Sequence, residues 1–158
     1  MINEISKTAR IGWNVKIWHF TYIGDNTEIG DNTKIGSLTH IDYNVKIGRD
    51  CKIEGQVYIP PLTEIRDRVF IAPGVIFTND PHPTTDKMVG VYVDDNCIIC
   101  AGAILKAGIT IGQNSVIGMG AVVVSHVPPN SVVFGNPAKI KYSRVKYDLK
   151  QKEWLRSA

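Results

Sequence analysis

The chain has 158 residues, 44% of them apolar, and a net charge of +3. That length predicts one domain with a continuous core. No apolar run reaches the ~18 residues of a membrane span, the opening MINEISKTAR contains no signal-peptide stretch, and the scattered basic residues form no nucleic-acid-binding motif. The expectation is a cytoplasmic protein with neither membrane nor nucleic acid as partner. Cys51, Cys97 and Cys100 are an odd set without framework spacing, which suits a reducing compartment.

From the N-terminus a six-residue period governs the chain. Ile5, Ile11, Ile17, Ile23, Ile29, Ile35, Ile41, Ile47, Ile53, Ile59, Ile65, Ile71 and Phe77 recur without a miss. Small or β-branched residues stand two places earlier, among them Val15, Thr21, Thr27, Thr33, Thr39, Val45 and Cys51. Alternate residues of a strand share a side, so each hexad supplies one large and one small inward residue. Gly12, Gly24, Gly30, Gly36 and Gly48 follow the large residue, and Asn and Asp crowd the next places. These types suit the tight or left-handed backbone of a corner. A short strand plus a corner is one side of a solenoid coil. Coils stack at about 4.8 Å and bury a ladder that no repeat holds alone. A coiled coil would need a seven-residue period. Ice-binding helices need outward Thr arrays, whereas Thr21, Thr27, Thr33 and Thr39 take the inward place.

Between Phe77 and Val93 the period is lost. The segment TNDPHPTTDKMVGVY predicts a loop extruded over about 78–92, which a solenoid tolerates because closure cost grows only with the logarithm of length. It is either a plain surface insertion or a site, and it carries Asn79, Asp80 and His82 together. Acyl transfer needs a group that orients the nucleophile and often one that takes its proton; histidine suits the second task near neutral pH.

The ladder resumes with Val93, Ile99, Leu105, Ile111, Ile117 and Val123. Cys97 and Cys100 form a CxxC without the second pair that zinc needs. In register Cys97 takes the small inward place and Cys100 a corner place, so both are expected to be structural and no metal is expected. Residues from about Arg144 to Leu155 predict a short helix, with Leu149, Trp154 and Leu155 capping the open end of the solenoid. The chain is thus divided into a repeat domain over 1–141 and a helical tail over 142–158.

The hexads resemble the hexapeptide-repeat acyltransferase family. That resemblance implies an all-β fold: a left-handed parallel β-helix of roughly seven coils, with one extruded loop and a short C-terminal helix. FTNDPHP, the preceding IAPG, and KIWHF at Lys16 to Phe20 are similar to segments of the family's sugar-nucleotide N-acetyltransferases. This implies that Asn79 contacts the reacting sugar and that Asp80 and His19 bind substrate. The His-Pro pair also resembles the catalytic histidine segment of the family's sugar O-acetyltransferases, which implies His82 as base. The segment AGAILKAGITIGQNSVIGMGAVVVSHVPPNSVVFGNPAKI is similar to the family's acetyl-CoA end. There Ala101, Gly102, Ala107, Gly120 and Ala121 would keep the surface low for a pantetheine arm. Asn136 and Pro137 would form the turn beside the coenzyme, and Lys139, Lys141 and Arg144 would meet its phosphates. A related carbonic-anhydrase class binds zinc through two histidines five residues apart; His19, His40, His82 and His126 do not form that pair. The expected function is acetyl-CoA-dependent N-acetylation of a UDP- or dTDP-linked amino sugar. O-acetylation of a sugar or small hydroxyl compound and a non-enzymatic scaffold are the alternatives. The resemblance further implies a homotrimer, with the loop facing a neighbour's C-terminal coils.

Overall fold

The computed structural model describes residues 2–157 and winds them into a three-faced parallel β-solenoid of about seven coils. Each strand of the coils is two residues long and ends on a member of the hexad ladder. Face 1 begins with Glu4–Ile5, Tyr22–Ile23 and His40–Ile41 and ends with Val122–Val123. Face 2 runs from Arg10–Ile11 to Thr110–Ile111, and face 3 from Lys16–Ile17 through Val116–Ile117. Partners in the first coils lie eighteen residues apart, as in Glu4↔Tyr22 and Ile5↔Ile23. The ladder isoleucines from Ile23 onward fill the lumen, and Ile23, Ile35, Ile41 and Ile59 are wholly buried. Ile5 and Ile11, on the terminal strands of faces 1 and 2 among the described residues, remain 40% and 38% exposed.

The small inward residues do more than save space. Thr27 Oγ1 donates to Asp42 O (2.6 Å), Thr33 Oγ1 to Gly48 O (2.9 Å) and Thr39 Oγ1 to Glu54 O (3.1 Å). The thiols of Cys51 and Cys97 do the same to Arg66 O (3.1 Å) and Gly112 O (3.2 Å). Each satisfies a carbonyl fifteen residues on, where the chain turns a corner and no strand partner is available. Burial pushes both thiols up to about 11, so they stay protonated and inert.

Three corners separate the faces. Between faces 2 and 3, Asn14 Nδ2 donates to Asn32 Oδ1 (3.0 Å) and Asn32 Nδ2 to Asp50 Oδ1 (3.1 Å). Between faces 3 and 1 stand Phe20, Leu38, Gln56, Gly74, Gly102 and Gly120, all at positive φ. We call this the glycine corner. The third, between faces 1 and 2, carries Asn26, Asn44, Leu62 and Gly108 and gives rise to the extruded loop.

The C-terminal end departs from expectation. Ser131–Gly135 continues face 3 in parallel, and Ala138–Ser143 folds back on it antiparallel across the Asn136-Pro137 turn. This strand runs through the expected boundary between 141 and 142. The helix spans Arg144–Arg156, N-capped by the Ser143 hydroxyl. Leu149, Trp154 and Leu155 are 55%, 69% and 62% exposed and do not cap the solenoid. At 100° per residue they fall on different sides of the helix, so no single apolar stripe exists to lay on the coils. Arg144 anchors the helix instead. Its Nη1 donates to Asn96 O (3.2 Å) and Asn114 O (3.1 Å), and its Nε to Asp148 (2.7 Å).

Candidate active site

The loop leaves after Ile76–Phe77 and returns at Tyr92–Val93, whose pairing with Glu64 and Ile65 restores the register. It therefore covers 78–91, one residue less than expected, because Tyr92 is already in the ladder. Thr78 Oγ1 roots it, donating to Leu105 O (3.1 Å) and accepting from Ala107 N (2.8 Å). Val89 N donates to Asn79 O (2.8 Å) and pinches the neck. The return passes Gly90, where a Cβ would lie 1.9 Å from Leu62 O, so only glycine fits. The departure has a cost. Thr63, 1% exposed, holds a hydroxyl without a hydrogen-bond partner among the described residues. Its ladder acceptor would be the carbonyl of Thr78, where the chain swings away.

Inside the loop, Asp80 Oδ1 accepts from His82 N (2.8 Å) and Oδ2 from Thr85 N (2.7 Å). The Thr85 and His82 amides hold its carboxyl below the usual carboxylate range. Both oxygens of Asp80 thus serve the turn that presents His82, which is exposed. Asn79 is half-buried, and its Nδ2 meets Met88 Sδ at 3.0 Å. A thioether is a weak acceptor, so this amide can be exchanged for a stronger partner at little cost.

The five small residues expected at the coenzyme do not share one place. Ala107 roots the loop, and Ala121 lies in the core, fully buried. Ala101 and Gly102 sit at the glycine corner with Gly120 and with Gly74, which sequence reasoning missed although it ends IAPG. At Gly74, Gly102 and Gly120 an added Cβ would find no atom within 4 Å. Phe20, Leu38 and Gln56 adopt the same φ on the same corner. Packing within the protomer therefore does not demand glycine there; the left-handed φ of 62–70° favours it without requiring it, as the three bulkier residues show.

Asn136 and Pro137 form the exposed tip of the terminal hairpin. Lys139 and Lys141 extend from its returning strand, Lys141 Nζ lying 5.2 Å from the centre of the Phe134 ring. Arg144 lies apart from them, engaged at the asparagine-rich corner. His19 belongs to the glycine corner in the first coils, its carbonyl accepting from Leu38 N (3.1 Å). The loop departs three coils further on, roughly 14 Å along the axis, and from another corner. One protomer alone does not bring the two together. His40 lies between Tyr22 and Tyr58, its ring centre 4.6 and 5.5 Å from theirs. With Ile76, Ile104 and Val122 these three form a continuous, largely apolar stripe down the outside of face 1. His126 Nδ1 accepts from Thr110 N (2.9 Å). Among the described residues no three His, Cys, Asp or Glu side chains converge as a metal site, and no helix is long and apolar enough to cross a membrane.

Comparison with known proteins bears on this arrangement. The family model described as bacterial transferase hexapeptide (six repeats) matches residues 8–43 and 26–61, and the one described as hexapeptide repeat of succinyl-transferase matches 90–125. Together they cover more than half of the chain. A galactoside O-acetyltransferase of Lactococcus lactis is 33% identical over 85 residues, which are 49% of this chain and 41% of that protein. A 2,3,4,5-tetrahydropyridine-2,6-dicarboxylate N-acetyltransferase of Clostridium perfringens is 46% identical over 48 residues, 30% of this chain and 20% of that one. The chain therefore spans less than half the length of either relative. Among solved structures, PerB of Caulobacter crescentus in complex with CoA and GDP-perosamine superposes with a TM-score of 0.58 at 24% identity, covering 89% of this chain and 54% of that one. The polySia-specific acetyltransferase NeuO gives 0.66 at 24% identity, covering 90% and 74%. At that identity the likeness speaks for the fold.

Proposed function

Because the chain belongs to the hexapeptide-repeat transferase family, we propose that it is an acetyl-CoA-dependent acetyltransferase whose acceptor is a nucleotide-linked amino sugar. One observation carries the reading. Gly74, Gly102 and Gly120 leave a bare channel on a corner that is bulky in earlier coils, and no packing inside the protomer calls for it. A slender pantetheine arm is the kind of occupant that needs such a channel. The terminal hairpin, with Lys139 and Lys141, offers cations to the coenzyme's phosphates.

The active unit is a homotrimer on this reading. The stripe of Tyr22, His40, Tyr58, Ile76, Ile104 and Val122 suits a face turned to a threefold axis. Such packing sets the loop corner of one protomer beside the glycine corner of the next. Asn79 and His82 then reach the neighbour's channel and close the distance that separates them from it within one chain.

In the reaction the acceptor amine attacks the thioester carbonyl carbon. A C–N bond forms, the C–S bond breaks, and the thiolate leaves with the proton the nitrogen sheds. Holding both reactants on one edge supplies much of the rate. Asn79 orients the amine or the tetrahedral adduct, His82 takes the proton from the nitrogen and hands it to the departing sulfur, and Asp80 holds the turn that carries His82. Galactoside O-acetyltransferases among the relatives favour a second reading, in which a hydroxyl acceptor depends far more on the His82 base. The test is release of free thiol from acetyl-CoA with a panel of nucleotide-linked 3-amino and 4-amino sugars beside simple galactosides. Thiol release with the amino sugars alone supports the first reading. Release with galactosides alone selects the second, and release with neither removes both.

A further inference from the structure

Outward-facing residues on faces 2 and 3 treat charge in opposite ways. On face 2 the rungs alternate as Arg10, Glu28, Lys46 and Glu64, so every step sets opposite charges in register. Arg10 pairs with Glu28 there. On face 3 the corresponding rungs are Lys16, Lys34 and Lys52, three cations stacked in register. Neighbouring rungs stand about 4.8 Å apart, and like charges directly opposite are destabilising. Among the described residues Lys16 and Lys34 make no ion pair, and Lys52 pairs only with Glu54 at 2.6 Å. The same chain solves this problem by alternation one face away, so the run of lysines is not a requirement of the coil.

The ladder borders a groove of roughly 380 Å³ that includes Trp18, Lys34, Ser37, Lys52 and Glu54. Trp18 is 44% exposed at its rim. The groove lies where face 3 meets the glycine corner, and the bare channel of Gly74, Gly102 and Gly120 begins on the very next coil of that corner, Gly74 N donating to Gly55 O (3.2 Å). We infer that this groove binds the nucleoside diphosphate of the acceptor, with Lys34 and Lys52 on the two phosphates and Trp18 against the base. The inference rests on the transferase reading. Ammonium groups at rung spacing suit adjacent phosphates as point charges, and an exposed indole is a stacking platform for any base. Donor and acceptor then lie end to end on one edge.

The test measures binding of UDP, dTDP, GDP and ADP by calorimetry in the presence of saturating acetyl-CoA, which keeps the adenine nucleotide out of the donor site. At least one diphosphate binds to the wild type. Lys34→Glu turns the ladder into an alternating one, so the free protein melts at the same or a higher temperature while the diphosphate Kd rises by about tenfold or more. Lys52→Ala weakens the diphosphate but not the bare nucleoside, and Trp18→Ala weakens both. Lys46→Ala on face 2 changes neither. A wild type that binds acetyl-CoA but no diphosphate overturns the inference and leaves acetyl transfer standing. So does a Lys34→Glu variant that melts higher and binds the diphosphate as before. Loss of acetyl-CoA binding in the wild type would instead strike the transferase reading itself.

Discussion

Thr63 and Thr33 occupy equivalent inward places and should respond oppositely to the same substitution. Thr33 Oγ1 donates to Gly48 O and accepts from Cys51 N at 3.1 Å, so Thr33→Val strands two polar groups and should cost about 1–3 kcal/mol. Thr63 has no side-chain partner to lose among the described residues, and Thr63→Val should be neutral or stabilise by up to about 1 kcal/mol. Thermal melts of the two variants decide it; equal losses would mean that Thr63 does find an acceptor. In the loop, Asn79→Ala should cut kcat/KM severely with an amino-sugar acceptor, because the amine needs a positioner more than a base. His82→Ala should cost less than that. With a hydroxyl acceptor the order reverses, since general-base help is worth about 10²–10⁴-fold. Measured across pH with each acceptor, unchanged values in both variants would return the loop to a plain insertion.

Element by element, the glycine corner gives the sharpest division between folding and binding. Leu38 and Leu62 already adopt the left-handed conformation at φ 61° and 65°, and the space around Gly102 is open. Gly102→Leu should therefore still fold, melting several degrees below wild type because the left-handed φ costs about 1–2 kcal/mol, while weakening acetyl-CoA by about tenfold or more; normal acetyl-CoA affinity would move the coenzyme elsewhere. Most of the coil was legible in advance, because a hexad of one large and one small inward residue has only one way to bury its ladder. The loop was legible as lost phase, to within one residue at Tyr92. Gly74 was overlooked because it precedes the loop, whereas its role shows only when the coils are stacked and Gly102 falls above it. The antiparallel return of Ala138–Ser143 was hidden for a different reason. Beyond Val123 the hexads end, and KIKYS offers no burial pattern that distinguishes a returning strand from a tail. The Arg144 anchor was hidden too, since its acceptors on the coils are the backbone carbonyls of Asn96 and Asn114, which leave no trace in side-chain identity. Left-handed winding rested on family resemblance alone, as a period says nothing of hand.

At the scale of the whole molecule, face 1 predicts assembly. Ile76 and Ile104 point outward and are 43% and 37% exposed in the single chain, so a charge there costs an isolated protomer little. Ile76→Glu with Ile104→Lys, which sets opposite charges on paired rungs, should leave the fold intact, convert the proposed trimer to monomers in light scattering, and abolish turnover by parting the loop from its neighbour's channel. A variant that remains trimeric, or a monomer with full activity, would place the interface or the site elsewhere.

The unbroken register across the loop has a consequence for how such a protein diversifies. Tyr92 and Val93 resume pairing with Glu64 and Ile65 as though residues 78–91 were not there. The insertion is fastened at Thr78 and Gly90, and the coils on either side are indifferent to what lies between. Closure entropy rises only slowly with length. The segment is thus an interchangeable cassette: a longer or differently charged version can be spliced between the same two anchors and, on the proposed transferase reading, would retune acceptor choice while the coils that would hold the donor are inherited unaltered.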